Sequence, residues 1–181
     1  WNYEEITSNF EGFTWGGDGW INSALRLIGG DKVTINYKPL QQLATSRNAF
    51  ALSIKFKVHN ITDENEELIT CLDGNNTGFV IKANEALIRT NWNTQVSTKF
   101  AAGEVYNIGF VSFPITYSDN YGMLNANMLY LYVNGVICGS AMKGANDSIY
   151  QDNPLPITLQ SKSATLDIYS IRAYDTQLTD D

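Results

Sequence analysis

Aromatic rings stand beside asparagine or aspartate at several places in the chain, a combination that can bind sugars. A flat ring packs on the apolar face of a pyranose, and amide or carboxylate groups bond its hydroxyls. The candidate ligand-binding residues are Trp92 with Asn91 and Asn93, Tyr117 and Tyr121 with Asp119 and Asn120, and Tyr150 near Asn146 and Asp147. The alternative is that each ring packs against its own loop or the core. Sugar binding by these segments is therefore a hypothesis.

Hard oxygen ligands for a calcium ion occur in two segments. Asp73 and Asn75 lie in Asp-Gly-Asn-Asn, and Asp147 follows Asn146. Calcium takes about six to eight oxygen ligands, and no local run supplies that number. Ordinary turn formation accounts for Asp-Gly-Asn-Asn equally well. We expect no cofactor, with Ca²⁺ at Asp73, Asn75 and Asp147 as the alternative.

Catalytic patterns are weak. The acidic residues Asp63, Glu64, Glu66 and Glu67 stand close together, but they lie between predicted strands, and a solvated turn explains them. Glycoside hydrolysis needs two carboxylates that face each other across the scissile bond. The single histidine, His59, lies at the end of a predicted strand with no serine or cysteine motif beside it. The sequence therefore predicts a protein that is not an enzyme.

The overall composition limits the partners. The 181 residues fit a single domain, 1–181, and the 44% hydrophobic content is normal for a globular fold. The net charge is −7 and the 12 basic residues are scattered, which argues against nucleic acid and anionic membranes. No apolar run approaches the roughly 18 to 20 residues that span a bilayer. Cys71 and Cys138 are interpreted as two buried free thiols rather than a disulfide.

The segment Asn127 to Cys138 is the strongest structural signal. An apolar run, Met128 to Val133, is followed by Asn134-Gly135 and a second apolar run, which predicts a hairpin with a type I′ turn. Both faces of the first strand are apolar, so we expect it near the middle of a sheet, or with one face lining a groove. Five apolar residues from Phe50 to Val58 alternate with Ala51, Ser53, Lys55 and Lys57, and the two lysines predict that the face opposite the buried one is wet.

About eleven to thirteen short strands are predicted, and no segment shows a helical period of 3.6 residues over three turns. The connecting segments 91–105, 114–126 and 139–155 are polar and aromatic and are predicted to be long loops. Regularly spaced strands with turn residues between them favour an all-β, two-sheet antiparallel β-sandwich.

Two segments carry a resemblance to a known family. Leu131 to Gly135 (LYVNG) and Ile168 to Thr179 (IYSIRAYDTQLT) resemble the laminin-G-like branch of the concanavalin A-like lectin/glucanase superfamily. That resemblance implies a jelly-roll sandwich, and it covers nearly the whole chain. It implies a non-catalytic binding or adhesion module for carbohydrate, or a structural domain, in a larger phage-tail (virion) or extracellular cell-surface protein. The alternatives are a purely architectural domain that contacts neighbouring protein subunits and a glycan hydrolase or lyase.

Overall fold

The computed structural model describes residues 8–11, 19–21, 23–36, 50–72, 78–89, 95–144 and 156–174. Within these ranges the chain forms fourteen β-strands. The strands are β1 (Ser8–Glu11), β2 (Gly19–Ile21), β3 (Ala24–Leu27), β4 (Lys32–Ile35), β5 (Phe50–His59), β6 (Glu67–Leu72), β7 (Gly78–Lys82), β8 (Glu85–Arg89), β9 (Gln95–Lys99), β10 (Val105–Asp119), β11 (Gly122–Val133), β12 (Val136–Gly144), β13 (Ile157–Gln160) and β14 (Thr165–Tyr174). The described ranges contain no helix that is long and apolar enough to cross a membrane.

The strands form two antiparallel sheets of seven strands each, which confirms the predicted all-β sandwich. Sheet I has the order β1-β4-β13-β6-β7-β8-β9, and sheet II has the order β12-β11-β10-β5-β14-β3-β2. The strand count exceeds the prediction partly because β9 forms inside the segment 91–105 that was expected to be a loop.

The core lies between the two sheets, where the alternation of β5 placed it. Leu52, Ile54, Phe56 and Val58 are buried, while Lys55 on the opposite face is exposed. Phe79 of sheet I stacks on Phe110 of sheet II with ring centroids 5.1 Å apart. The face of sheet II that carries Leu52 and Phe110 is therefore its inner face. Alternate residues, which include Ser53 and Lys55, form its outer face.

The predicted Asn134-Gly135 hairpin is confirmed. The two residues have φ values of 52° and 81°, the pair of positive values that a type I′ turn requires. The strand before the turn, β11, lies next to the edge of sheet II, so its predicted position near the middle of a sheet was wrong. Its Leu129 and Leu131 face the core with no exposed area, whereas Tyr130 and Tyr132 are half-buried on the outer face.

The two cysteines are free thiols, as predicted, but only one is buried. Burial raises the pKa of Cys71 to about 12. Cys138 is exposed, and the prediction of two buried thiols was wrong for it. The register between β11 and β12 shifts at Leu131/Tyr132, where Leu131 pairs with Gly139 and Tyr132 with Ile137. Cys138 is the extra residue of this bulge on an edge strand, which leaves its side chain in solvent.

The segment 114–126 is not a loop. β10 and β11 pair continuously from Ile108↔Val133 to Asp119↔Gly122, so the connection shrinks to Asn120 and Tyr121. The polar side chains that suggested a loop sit on two strands that satisfy each other's backbone groups. The segment 139–155 also begins as a strand, because β12 reaches Gly144.

The acidic residues between positions 63 and 67 differ in their exposure to solvent. Asp63, Glu64 and Glu67 are exposed, as a solvated turn predicts, but Glu66 is only 5% exposed. Its carboxylate accepts hydrogen bonds from the backbone N–H groups of Lys162, Ser163 and Ala164 and from the Ser163 hydroxyl, at 2.5–3.0 Å. Glu66 thereby fixes the turn between β13 and β14. The expectation that this side chain is solvated was wrong.

Candidate binding cleft

A cleft of about 180 Å³ opens on the outer face of sheet II, close to the Asn134-Gly135 turn. Three neighbouring strands, β5, β10 and β11, supply most of its walls. The lining residues are Ala51, Leu52, Ser53, Asn107, Gly109, Val111, Tyr132 and Gly135. The cleft is thus built on sheet strands, which hold side chains more rigidly than loops do.

Gly109 creates the space for the cleft. It pairs with Ser53 on one side and Tyr132 on the other. A Cβ atom on Gly109 would lie 3.3 Å from the Tyr132 Cβ and 3.9 Å from two of its ring atoms. Because the glycine has no side chain, the Tyr132 side chain lies against its backbone and forms one wall of the cleft.

An aromatic row continues from Tyr132 along the outer face. Tyr130 lies 6.3 Å from Tyr132 between ring centroids. Phe113 stacks on Tyr130 at 5.3 Å, with only 15° between the ring planes. Stacked neighbours restrict ring rotation, so the row offers a firm apolar platform beside the cleft.

Polar groups line the wall opposite this platform. The Ser53 hydroxyl donates to Asn107 Oδ1 at 2.5 Å. The Asn107 backbone N–H donates to Asn134 Oδ1, and the Asn134 N–H donates to the Asn107 carbonyl, both at 2.8 Å. The Asn107 carboxamide, whose oxygen accepts from Ser53, also carries two N–H donors on its nitrogen.

An ion-pair cluster lies farther along the same face. Asp167 is buried and binds the Arg26 guanidinium through both oxygens, at 2.7 and 2.8 Å. His59 Nε2 lies 3.1 Å from Asp167 Oδ2. Burial raises the pKa of Asp167, but the hydrogen bonds and charges of Arg26 and His59 outweigh it and hold the pKa below its ordinary value. His59 thus ends β5, as predicted, where it contributes to charge pairing.

Most sequence-predicted site residues lie elsewhere. Asn120 and the 94% exposed Tyr121 form the tip of the β10–β11 hairpin, with Tyr117 and Asp119 on the strand that leads to it. Ten residues separate Gly109 from Asp119 along β10, which corresponds to about 34 Å. Outside the described residues lie Asn91, Trp92, Asn93, Tyr150, Asp73, Asn75 and Asp147. The cleft and the predicted residues therefore form separate candidate sites.

The metal prediction stays untested. Within the described residues, no group of three or more histidine, cysteine, aspartate or glutamate side chains could hold a metal ion. The proposed ligands Asp73, Asn75 and Asp147 lie outside those residues, so Ca²⁺ at this position remains a sequence-based prediction.

Solved structures of botulinum neurotoxin binding domains resemble the chain. A structure of neurotoxin type C, whose passage into cells is described as dependent on two ganglioside molecules, superposes with a TM-score of 0.59 at 13% identity. Its alignment covers 97% of this chain and 44% of the other. The serotype DC binding domain with SialylT gives 0.57 at 14% identity, with 97% and 44% covered. The same domain with rat synaptotagmin II gives 0.55 at 15% identity, again with 97% and 44% covered.

The fold is shared with these binding domains. At this level of identity the likeness extends to the β-sandwich alone, and the chain spans less than half the length of the neurotoxin domains. No protein-family model matches the chain, and no curated protein matches it.

Sequence reasoning missed the cleft, although two signals for it were present. An isolated glycine inside a strand, such as Gly109, often marks a place where another group approaches the backbone closely. The apolar outer face of β11, with Tyr130 and Tyr132, was consistent with a strand that lines a groove. What the sequence lacks is the register that places Tyr132 opposite Gly109.

Proposed function

We propose that the protein is a non-catalytic recognition module that binds carbohydrate in the cleft on the outer face of sheet II. The observation that carries the proposal is the Tyr132 side chain, held against Gly109 and facing the amide donors of Asn107. A sugar ring presents an apolar face to an aromatic ring and hydroxyls to amide groups, and the cleft offers both.

The cleft volume indicates the size of the bound group. At about 180 Å³ it is smaller than the ~300 Å³ at which sites for drug-sized ligands begin. We therefore propose that it holds one sugar ring, and that further rings of an oligosaccharide extend along Tyr130 and Phe113.

A glycan array followed by calorimetry tests this proposal. We expect Tyr132→Ala to abolish binding to the glycans that the wild-type protein binds on the array, because the stacking surface is lost. Tyr121→Ala and Trp92→Ala test the sequence-predicted residues, and we expect both variants to bind like wild type. If Tyr132→Ala binds normally while Tyr121→Ala or Trp92→Ala does not, the site lies on those segments. If the wild type binds no glycan, the proposal is wrong.

The absence of catalysis is part of the proposal. His59 lies within hydrogen-bond distance of Asp167, but Asp167 already binds Arg26. We therefore assign the His59 and Asp167 side chains a structural role and not a catalytic one. We expect every glycan that the protein binds to be recovered intact after incubation, as mass spectrometry would show. Cleavage of a bound glycan would favour the hydrolase or lyase alternative.

The parent protein is a further part of the proposal. The two-sheet antiparallel sandwich supports membership of the concanavalin A-like, laminin-G-like group, and a glycan-binding module suits an extracellular cell-surface or virion (phage-tail) protein. Tail or capsid genes beside the coding sequence would support the virion context. Light scattering on the purified chain tests the architectural alternative, since a strict monomer argues against a subunit-contact domain.

A further inference from the structure

Positively charged side chains border the cleft on the side away from Tyr132. Arg172 of β14 pairs directly with Ser53, and Lys55 of β5 pairs directly with Asn107. Ser53 and Asn107 both line the cleft. Side chains of directly opposed residues start about 4.5–5.5 Å apart at their Cβ atoms, so both cations lie next to the cleft wall. Lys57 continues the same face.

Arg172 and Lys55 form no ion pair with an acidic side chain among the described residues. Arg26, on the same face, is held by Asp167 in a bidentate pair. Lys57 lies directly opposite Asp167. Arg172 makes no such ion pair in the described part of the chain, and Lys55 places its Nζ 5.8 Å from the centroid of the Tyr169 ring. The whole protein carries a net charge of −7, whereas the two charged side chains that border the cleft, Arg172 and Lys55, are positive.

Arg172 and the aromatic wall lie on one line across the sheet. Arg172, Ser53, Gly109 and Tyr132 are consecutive partners on β14, β5, β10 and β11. Adjacent strands lie about 4.8 Å apart, so the backbones of Arg172 and Tyr132 are separated by about 14 Å. A ring stacked on Tyr132 above Gly109 would direct a substituent over Ser53, within reach of the long Arg172 and Lys55 side chains.

We propose that the ligand of this cleft is an acidic glycan, with its carboxylate or sulfate group bound by Arg172 and Lys55. This inference rests on the proposed function, since it names the class of sugar that the same cleft takes. A guanidinium presents a planar fork that matches carboxylate and sulfate oxygens, and Lys55 adds a second charge from the neighbouring strand.

Nucleic acid is the other polyanion to consider. Its binding depends on many phosphate contacts along an extended basic surface. Here one arginine and one lysine, Arg172 and Lys55, border the cleft of a protein whose net charge is −7. The aromatic wall with a single short row of cations therefore favours one acidic substituent on a sugar ring.

The experiment compares matched neutral and acidic sugars on the intact chain. The probes are lactose against 3′-sialyllactose, N-acetyllactosamine against its 6-sulfate, and tetragalacturonate against its methyl ester, with calorimetry near physiological salt. We expect the acidic member of at least one pair to bind about tenfold more tightly. Arg172→Ala and Lys55→Ala should remove that preference and leave neutral binding unchanged. Lys99→Ala, an exposed cation on sheet I, is the matched control and should bind like wild type.

The outcomes separate this inference from the proposed function. The neutral and acidic members of every pair could bind equally, and Tyr132→Ala could abolish the binding of both. That result would overturn the acidic-glycan inference and keep the carbohydrate site. No binding to any acidic probe also overturns the inference. Binding of a single-stranded oligonucleotide as tight as that of the acidic sugars would show general anion attraction and overturn it as well.

Discussion

At the scale of single residues, the buried carboxylates hold the turns of the sandwich together. Glu66 uses both oxygens, with Oε1 bound to the Lys162 and Ser163 N–H groups and Oε2 to the Ala164 N–H and the Ser163 hydroxyl. Asp31 plays a similar part, since its carboxylate accepts from the Ile28 N–H at 2.9 Å and its carbonyl accepts from the Ser161 N–H.

Glu66→Gln is expected to destabilise the protein by about 2–4 kcal/mol. The amide would keep one accepting oxygen but would turn an NH₂ group toward a donor, the Ala164 N–H, which is buried. Urea unfolding measures the change. Glu64→Gln is the matched control, because Glu64 is exposed on the same turn. Equal stability of the two variants would contradict the role given to Glu66.

Glu66 and Asp167 contribute to the loss of stability in acid. Burial raises the pKa of Glu66, but its backbone and Ser163 hydrogen bonds outweigh burial and lower it below the ordinary 4.5. Asp167 is likewise below its ordinary 3.8. The unfolded chain therefore takes up protons first as the pH falls below about 5. At higher pH both groups contribute their full stabilisation, so the free energy of unfolding does not change with pH on their account.

We expect the free energy of unfolding to be flat from pH 7 to 5 with respect to these groups and to fall below that. The double variant Glu66→Gln, Asp167→Asn should start lower and lose less on acidification. Urea titrations at half-unit pH steps would show the difference in slope. If the free energy of unfolding falls as steeply with decreasing pH in the double variant as in the wild type, other carboxyl groups cause the acid sensitivity.

At the scale of elements, the β11–β12 hairpin depends on its two-residue turn. Gly135 has φ of 81°, in the left-handed region where a β-branched side chain is strained. We expect Gly135→Val to cost about 1–2 kcal/mol. Gly135→Asn is the control, because asparagine tolerates positive φ, and it should cost less. Thermal unfolding compares the two, and equal losses would show that the cost does not arise from the backbone conformation.

A substitution at Gly109 of β10 tests the shape of the cleft and leaves the polar groups of the cleft in place. A side chain at Gly109 would meet Tyr132 at 3.3 Å, which is tighter than ordinary contact. We expect Gly109→Ala to displace the Tyr132 side chain and lower glycan affinity at least tenfold, with the strand pairing retained. Calorimetry measures the affinity, and near-ultraviolet circular dichroism checks the fold. Undiminished affinity would show that the contact between Tyr132 and Gly109 does not shape the site.

Strands whose signal is local could be predicted from the sequence. The alternation of Phe50 to Val58 and the Asn134-Gly135 turn each determine their structure within a few residues, and the strand, its buried face and the turn are confirmed for the described residues. The predicted wet face is confirmed at Lys55 but is wrong at Ala51, which is 2% exposed. The segment 114–126 was mistaken for a loop because Tyr117, Asp119 and Asn120 are polar or turn-favouring. Its strand structure depends on pairing between β10 and β11, and tertiary pairing overrides local preference.

The cleft was beyond sequence reasoning for the same reason. Ser53, Asn107 and Tyr132 come from three strands, and they meet only because their registers align Ser53 with Gly109 and Gly109 with Tyr132. A shift of one residue in either pairing would turn one member of this row toward the core. The sequence shows which residues can share a face but not which residues become neighbours.

At the scale of the whole molecule, the sandwich is closed by pairing between distant parts of the chain. β14 lies inside sheet II, between β5 and β3, and its pairing runs from Thr165↔His59 to Tyr174↔Ala51. It brings Leu166 and Ile168 to the core and Asp167 to Arg26, and it places Arg172 beside the cleft. One strand thus completes the core, the ion-pair cluster and the cationic border.

We therefore expect a chain that ends at Ala164 not to fold. Without β14, the strands β5 and β3 would expose unpaired edges, and the core would lose two buried apolar side chains. Near-ultraviolet circular dichroism and amide-proton dispersion in NMR spectra would report the loss. A synthetic peptide of residues 165–174 should restore part of the signal when added, because it can enter between β3 and β5. The same peptide with Leu166 and Ile168 replaced by serine is the control and should not. A truncated chain that folds alone would show that β14 docks onto an already stable sandwich.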